Sequence, residues 1–319
     1  MRVLVAGATG VVGRQLVPQL IAAGHQVTGT TRSAGKADLL REAGADAAVV
    51  DGLDAVAVGE AVAKAEPEVV IHQMTALSGD FDLRHFARTF DLTNKLRTTG
   101  LDNLLAAAQA AGARRIIAQS FAGFPTIRSG GPVKTEDDPY DPDPPKDMRS
   151  GLEAIKYLER TVVASPLEGI VLRYGPLYGP GSSDVIVDIL KRRQMPLIGS
   201  GAGVWSFLHV QDAASAAVAA LDHGAPGIYN VVDDEPAPVS EWLPVLARAV
   251  GAKPPLRVPG WLGRLLGGEA AFSMMTQVRG ASNAKAKREL GWAPAWSTWR
   301  DGFARGLFAA ADGAEPAAR

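Results

Sequence analysis

The chain has 319 residues, 47% of them hydrophobic and 21% charged, and its 33 basic and 34 acidic side chains leave a net charge of -1. That length suits one large or two fused units with a continuous core, and that composition excludes disordered, collagenous and coiled-coil chains. The charge balance gives no global attraction to nucleic acid or anionic membrane, and zero cysteines exclude disulfide frameworks, thiol catalysis and cysteine zinc sites.

From the first residues, short apolar runs alternate with longer amphipathic ones, as strands and crossover helices do in a parallel sheet. The expected strands are Arg2 to Ala6, Gln26 to Thr30, Ala47 to Asp51, Val69 to Gln73, Ile116 to Ser120 and Ile170 to Arg173. Between them, helices are expected at Val12 to Ala23, Lys36 to Ala43, Asp54 to Ala65, one long stretch ending near Ala111, and Met148 to Val163. Gly24, Gly44 and Gly112 stand just past helix ends, where a left-handed cap suits glycine. The fold class expected is α/β, a doubly wound parallel Rossmann sheet with a smaller C-terminal α/β substrate lobe. Phe124 to Lys146 is too rich in Gly and Pro for a helix or central strand, so it reads as a long loop, either a binding loop or a surface excursion. After Arg173 the alternation breaks up. One α/β unit returns at Ala213 to Leu221 and Gly227 to Val231, and Pro238 to Phe308 reads as helices. The domain division is therefore 1–175 with 208–232 returning to it, and 176–207 with 233–319 as the second lobe. The opening apolar run is too short for a signal peptide or a spanning helix, so a soluble cytoplasmic protein is expected.

Gly7-Ala8-Thr9-Gly10-Val11-Val12-Gly13 follows the first strand directly and opens a helix. In that context Gly7 permits the tight turn, Gly10 lets backbone approach a pyrophosphate, and Gly13 lets helix and strand pack closely. The helix N-terminus offers free N-H groups and partial positive charge to phosphates. The second strand ends Thr30-Thr31-Arg32-Ser33, with no acid before Asp38. A carboxylate there would bind ribose hydroxyls and repel a 2'-phosphate, whereas Arg32 can grip that phosphate, so NADP is the expected cofactor. Asp51 either accepts from the adenine amino group or precedes a helix start. Gly52 beside it, and Gln73, Met74 and Thr75 after the fourth strand, lie at the carboxyl edge where ligands collect.

These residues, with Asn103-Leu104-Leu105-Ala106-Ala107-Ala108, Leu172-Arg173-Tyr174-Gly175-Pro176-Leu177-Tyr178-Gly179, Phe207-Leu208-His209-Val210-Gln211-Asp212 and Ala286-Lys287-Arg288-Glu289-Leu290-Gly291-Trp292, resemble the extended short-chain dehydrogenase/reductase superfamily, epimerase and dehydratase branch. The resemblance covers almost the whole chain. It implies catalysis by a Ser and a Tyr-x-x-x-Lys pair, in which Tyr moves a proton and Lys lowers its pKa and holds the nicotinamide ribose. Ser120 matches the Ser. The pair is absent, since none of the five tyrosines has Lys four places later. Taking Glu159 as the acid that follows the Lys puts Gly151 and Ile155 at the pair's positions; taking Lys156 as the lysine puts Leu152 there.

The expected chemistry is NADP(H)-dependent hydride transfer to a hydrophobic carbonyl, enone or imine, with Ser120, Tyr140 and Tyr178 as candidate catalytic residues and Tyr174 and Pro176 as further cofactor contacts. The alternatives are a dehydratase, isomerase or cyclase on the same scaffold, or a catalytically silent NADP-binding sensor. The cleft walls are expected from Gln73 to Gly79, Ser120 to Tyr140, Tyr174 to Ser183 and near Trp205. His25, His85, His209 and His223 are too scattered for a metal site. A small-molecule substrate, no nucleic acid or membrane, and the resemblance's homodimer complete the expectation.

Overall fold

The computed structural model describes residues 1–77 and 86–308. Ser78 and Gly79 of the expected cleft wall, His85, and the terminal stretch from Gly313 lie outside the described residues. The first unit runs β1 (Arg2–Ala6), α1 (Gly13–Ala22), β2 (Gln26–Thr31), α2 (Ala34–Glu42), β3 (Asp46–Val49), α3 (Ala55–Ala65), β4 (Val69–His72), α4 (Phe86–Arg97), α5 (Thr99–Ala110) and β5 (Arg115–Phe121). There follow β6 (Val133–Lys134), α6 (Arg149–Val163), β7 (Glu168–Tyr174), β8 (Leu177–Tyr178), α7 (Asp184–Lys191), β9 (Leu197–Ile198), β10 (Val204–Trp205), β11 (Leu208–His209), α8 (Val210–Ala219) and β12 (Gly227–Val231). Last come β13 (Ala237–Pro238), α9 (Val239–Ala249), β14 (Arg257–Val258), α10 (Gly260–Thr276), β15 (Gly280–Ala281) and α11 (Ala284–Glu289).

Seven strands form one parallel sheet in the order β12-β7-β5-β4-β1-β2-β3. Its central members are apolar on both faces because helices cover both sides: every residue of β4 is buried, as are Val3 to Ala6 of β1. The strand order reverses between β1 and β4, which leaves a crevice at their carboxyl ends. β12 rejoins the sheet beside β7, in register from Gly227 opposite Ile170 to Val231 opposite Tyr174.

The long helix expected before Ala111 is two helices. At Thr98 the backbone leaves the helical region (φ -108°, ψ -90°) and the Thr98 hydroxyl donates back to the Asn94 carbonyl at 3.0 Å, the local competition that makes threonine a weak helix interior. The proline-rich loop is laced down: β6 pairs with β15, Thr126 bridges Tyr140, and Arg128 pairs with Asp141 at 2.7 Å. A second core gathers Val187, Leu197, Phe207, Trp242, Leu243, Trp299 and Phe303. The start of α8 is tied to the C-terminal segment where the Asp212 carboxylate accepts from the Ala295 and Trp296 amides at 2.8 and 2.9 Å, and where the His209 ring meets the Gly306 carbonyl at 3.1 Å. No helix among the described residues is long and apolar enough to cross a membrane.

Candidate functional site

The turn after β1 is built from backbone constraints. Gly7 has φ +88°, and a Cβ on it would stand 2.8 Å from the Gln73 carbonyl of the next strand. A Cβ on Gly13 would overlap the Ala8 carbonyl, so the first turn of α1 lies against the loop as no side chain would permit. Val12 caps α1 without any side-chain hydrogen bond, and the Arg14 and Gln15 amides turn back onto the Gly10 and Val12 carbonyls at 3.0 Å, so no side chain stands between this helix start and a ligand's anionic oxygens. The Gly7 amide donates to Thr30 Oγ1 at 3.2 Å, and the Thr9 and Thr31 hydroxyls meet at 3.0 Å, tying the turn to the end of β2. Arg32 follows there with its side chain exposed. Val11 is half-buried beside this turn. These features fit a dinucleotide pyrophosphate on α1.

Asp51 and Asp54 divide the work after β3. Asp54 caps α3, accepting from the Val56 and Ala57 amides at 3.1 Å, while the exposed Asp51 accepts from the Leu53 amide at 3.0 Å. The Met74 thioether lies directly over Gly52, where a Cβ would collide with it, and Thr75 is half-buried next along.

Beyond β4 the expected residues separate. Gln73 donates its amide to the Tyr174 hydroxyl at 3.1 Å, and that hydroxyl donates to the Ala213 carbonyl at 3.1 Å. Tyr174 is thus fully engaged inside the sheet-helix layer, and burial raises its pKa. Pro176 accepts from the Leu208 amide at 3.1 Å. Tyr178 lies apart from Ser120 and Tyr140, in the second core, its ring at 5.1 to 6.3 Å from those of His209, Phe303 and Phe207. Its buried hydroxyl has no hydrogen-bond partner, and burial raises its pKa.

Ser120 and Tyr140 do meet, through a third residue. Glu159 of α6 is fully buried. It accepts from the Ser120 hydroxyl at 2.7 Å, from the Tyr140 hydroxyl at 2.5 Å, and from Arg173 Nε and Nη2 at 2.8 and 2.6 Å. The Tyr140 ring lies 5.4 Å from the Arg173 guanidinium and 5.6 Å from the Lys156 ammonium. Burial, then the Glu159 charge, pushes the Tyr140 hydroxyl up to about 12. The two hydroxyls therefore hold a carboxylate, and neither is poised to release a proton near neutral pH. Helical periodicity carried a signal for this cluster: Glu159 falls in the same apolar stripe as Leu152, Ile155 and Val162, and Arg173 ends a buried strand. Sequence reasoning also passed over Arg97, which is 3% exposed on α4.

Of the two pairs of positions offered for the superfamily's Tyr and Lys, Gly151 with Ile155 or Leu152 with Lys156, the Lys156 ammonium pairs with Glu153 at 2.8 Å, and the others face an apolar filling. Leu152 and Ile155 have no exposed surface and pack with Phe90, Phe124, Met148, Ala270 and Val278, flanked by Phe121, Tyr140, Trp205 and Met274. A Cβ on Gly151 would stand 3.6 Å from the Phe124 ring.

A model of the NAD dependent epimerase/dehydratase family matches residues 3–231. The chain belongs to the NAD-dependent epimerase/dehydratase family. Among its relatives, a 3-diazoavenalumate denitrifying reductase from a Streptomyces species is 47% identical over 96% of this chain and 100% of its own. A 2-alkyl-3-oxoalkanoate reductase of Stenotrophomonas maltophilia is 26% identical over 79% of this chain and 76% of its own. Among solved structures, the UDP-glucose 4-epimerase of Thermus thermophilus in complex with NAD superposes with a TM-score of 0.72 at 25% identity, covering 96% of this chain and 98% of that one. Reductases and epimerases of this family are nicotinamide-dependent enzymes, and this member is an enzyme of the short-chain dehydrogenase/reductase kind.

Proposed function

We propose that this family member is an NADPH-dependent reductase that delivers hydride to a planar, apolar small molecule at an acceptor that needs no proton from a tyrosine. The observation that carries this reading is the α6 face: Leu152 and Ile155 are buried among aromatic and aliphatic side chains, and the nearby hydroxyls of Ser120 and Tyr140 both donate to Glu159. A ketone that accepts hydride becomes an alkoxide and must be protonated, which is the task of the missing tyrosine. An aryl diazo group in its cationic form does not. Hydride on its terminal nitrogen gives a neutral diazene, which expels dinitrogen and leaves the hydrogen on the ring, so Ar-N2+ plus H- yields Ar-H plus N2.

The 47% identical relative is named for reduction of a diazo compound with loss of nitrogen, which supports that acceptor here. A bound reduced nicotinamide would supply the hydride. Exposed Arg32 beyond β2, with no acid beside it, supports the phosphorylated cofactor. Phe121, Phe124, Tyr140 and Trp205 offer flat apolar surface to an aromatic substrate held between the first unit and the second lobe, the latter proposed as residues 176–207 and 233–319. Ser120 and Tyr140 fix the floor of this site through Glu159, and Tyr178 supports the second lobe from inside.

The test is a panel of aryl diazonium salts, ketones, enones and imines incubated with protein and NADPH carrying deuterium at the transferred position. Deuterium on the arene ring and evolved dinitrogen, above the rate without protein, are expected from the diazonium salts. Turnover of ketones with none of diazonium salts, or NADPH consumption by neither, overturns the reading.

A further inference from the structure

A guanidinium lies buried where the cofactor track crosses the sheet. Arg97 closes α4, is 3% exposed, and leaves its Nε and Nη1 without any acceptor. Such a group is costly to bury, since each unmade hydrogen bond of a charged donor forfeits more than that of a neutral one. A fold retains it at this depth most readily where a ligand completes it.

The surroundings fix where Arg97 stands. α4 covers the end of β4 and the loop leaving it: the Ala76 amide donates to Thr93 Oγ1 at 3.0 Å, and His72 Nε2 meets the Leu96 carbonyl at 3.1 Å. α4 also packs against α6, the helix that carries the Glu159 carboxylate; burial lowers the Arg97 pKa and the Glu159 charge opposes that. Arg97 therefore lies buried in the layer that α4 lays over the carboxyl end of β4 and against α6. A dinucleotide that places its pyrophosphate on α1 and its adenosine half toward β2 extends its other half across this span.

We propose that Arg97 binds the nicotinamide ribose, donating to its hydroxyls, and so supplies from α4 the cation that Ile155 does not provide on α6. This inference rests on the nucleotide reading of the site. Glu159 serves it as a positioning residue: already saturated by Arg173, Ser120 and Tyr140, it faces Arg97 with charge while leaving two guanidinium nitrogens free to donate. The ribose hydroxyls accept those two hydrogen bonds, and no bond is made or broken.

Calorimetric titration with two probes tests it: NADPH, and 2',5'-ADP, which carries the adenosine half and lacks the nicotinamide riboside. Arg97→Met and Arg97→Gln are expected to weaken NADPH by about 10- to 100-fold, the worth of hydrogen bonds from a charged donor, while 2',5'-ADP stays within about twofold of wild type. Unchanged 2',5'-ADP affinity also certifies that the variant is folded, and the Gln variant, which keeps a polar side chain, covers failure of the Met variant. NADPH affinity within about twofold of wild type in a variant that still binds 2',5'-ADP overturns the assignment. Equal losses for both probes in both variants overturn it as well, because Arg97 then acts only through the fold. Wild-type protein that binds neither probe overturns the nucleotide reading beneath it, a failure distinct from either of these.

Discussion

Replacing Glu159 by Leu removes the one anion that four donors share. Glu159 has no exposed surface and Arg173 is 2% exposed, so the pair sits in low dielectric with two hydroxyls completing the carboxylate. Breaking a pair of this kind from one side leaves an uncompensated buried charge and costs about 3–5 kcal/mol. At roughly 2–4 °C per kcal/mol for a larger domain, the melting temperature should fall by about 6–20 °C. Arg173→Met should fall less than Glu159→Leu, because the carboxylate that remains still faces Arg97, whereas loss of the carboxylate strands both guanidinium groups. The double variant Glu159→Leu with Arg173→Met removes the paired charges together and should melt above the sum of the single losses. Differential scanning calorimetry of the three variants reads these terms directly. A fall below about 2 °C for Glu159→Leu, or strictly additive losses in the double variant, refutes the claim that the two charges are desolvated as a unit.

Three other outcomes follow from the same geometry. Arg32→Glu should reverse the cofactor preference from NADPH toward NADH, measured as a ratio of dissociation constants; an unchanged ratio removes Arg32 from the 2'-phosphate. Gly13→Ala should abolish cofactor binding while the protein still folds, because the added methyl overlaps the Ala8 carbonyl and pushes α1 away from the pyrophosphate; binding within about threefold of wild type contradicts the close approach. Asp233 is 2% exposed, and burial lifts its carboxyl from 3.8 to about 8. The folded state thus holds a proton that the unfolded state has released, so this group lowers stability as pH rises from about 4 to 8 and adds no further slope above that. Asp233→Asn should flatten that part of the pH profile and raise the melting temperature at pH 8, and a profile parallel to wild type shows that Asp233 is ionised in the fold.

The sheet and the glycine turn after β1 were legible because both are written in backbone rules. Gly7 needs positive φ, Gly13 needs the absence of a Cβ, and strands buried on both faces read as continuous apolar runs. The break at Thr98 was not legible, since the stretch around it keeps helical spacing and a side-chain hydrogen bond decides the matter. Within the site, Ser120 and Tyr140 were found as separate hydroxyls, but what joins them was missed: Glu159 is 39 residues from Ser120 and 19 from Tyr140, and only the packing of α6 on β5 and β7 makes them neighbours. Tyr174 and Tyr178 look alike in sequence, four residues apart on one strand-turn segment. Yet the first points into the sheet-helix layer and the second into the second hydrophobic core, because the chain turns at Gly175 and Pro176 between them. Arg97 gave one signal, a cation in the stripe of Phe90, Leu101 and Leu104, that local reading takes for a wet helix face.

Rebuilding the superfamily's pair shows what the chain has done with the space. Ile155 has no exposed surface and is enclosed by Phe90, Phe124, Met148, Leu152, Ala270 and Val278. Ile155→Lys places an ammonium in that cluster with no free carboxylate, since Glu159 is already shared among Arg173, Ser120 and Tyr140. The expected loss is about 4 kcal/mol or more, against less than about 1.5 kcal/mol for the volume-conserving Ile155→Met. Gly151→Tyr must displace the Phe124 ring, which stands 3.6 Å from where its Cβ would begin. The combined Gly151→Tyr and Ile155→Lys protein should therefore melt at least about 5 °C lower than the Ile155→Met control and gain no ketone reductase activity. If it instead folds at wild-type temperature and reduces ketones, then α6 still presents an open catalytic face, and the apolar filling is no part of how this enzyme chooses its acceptor.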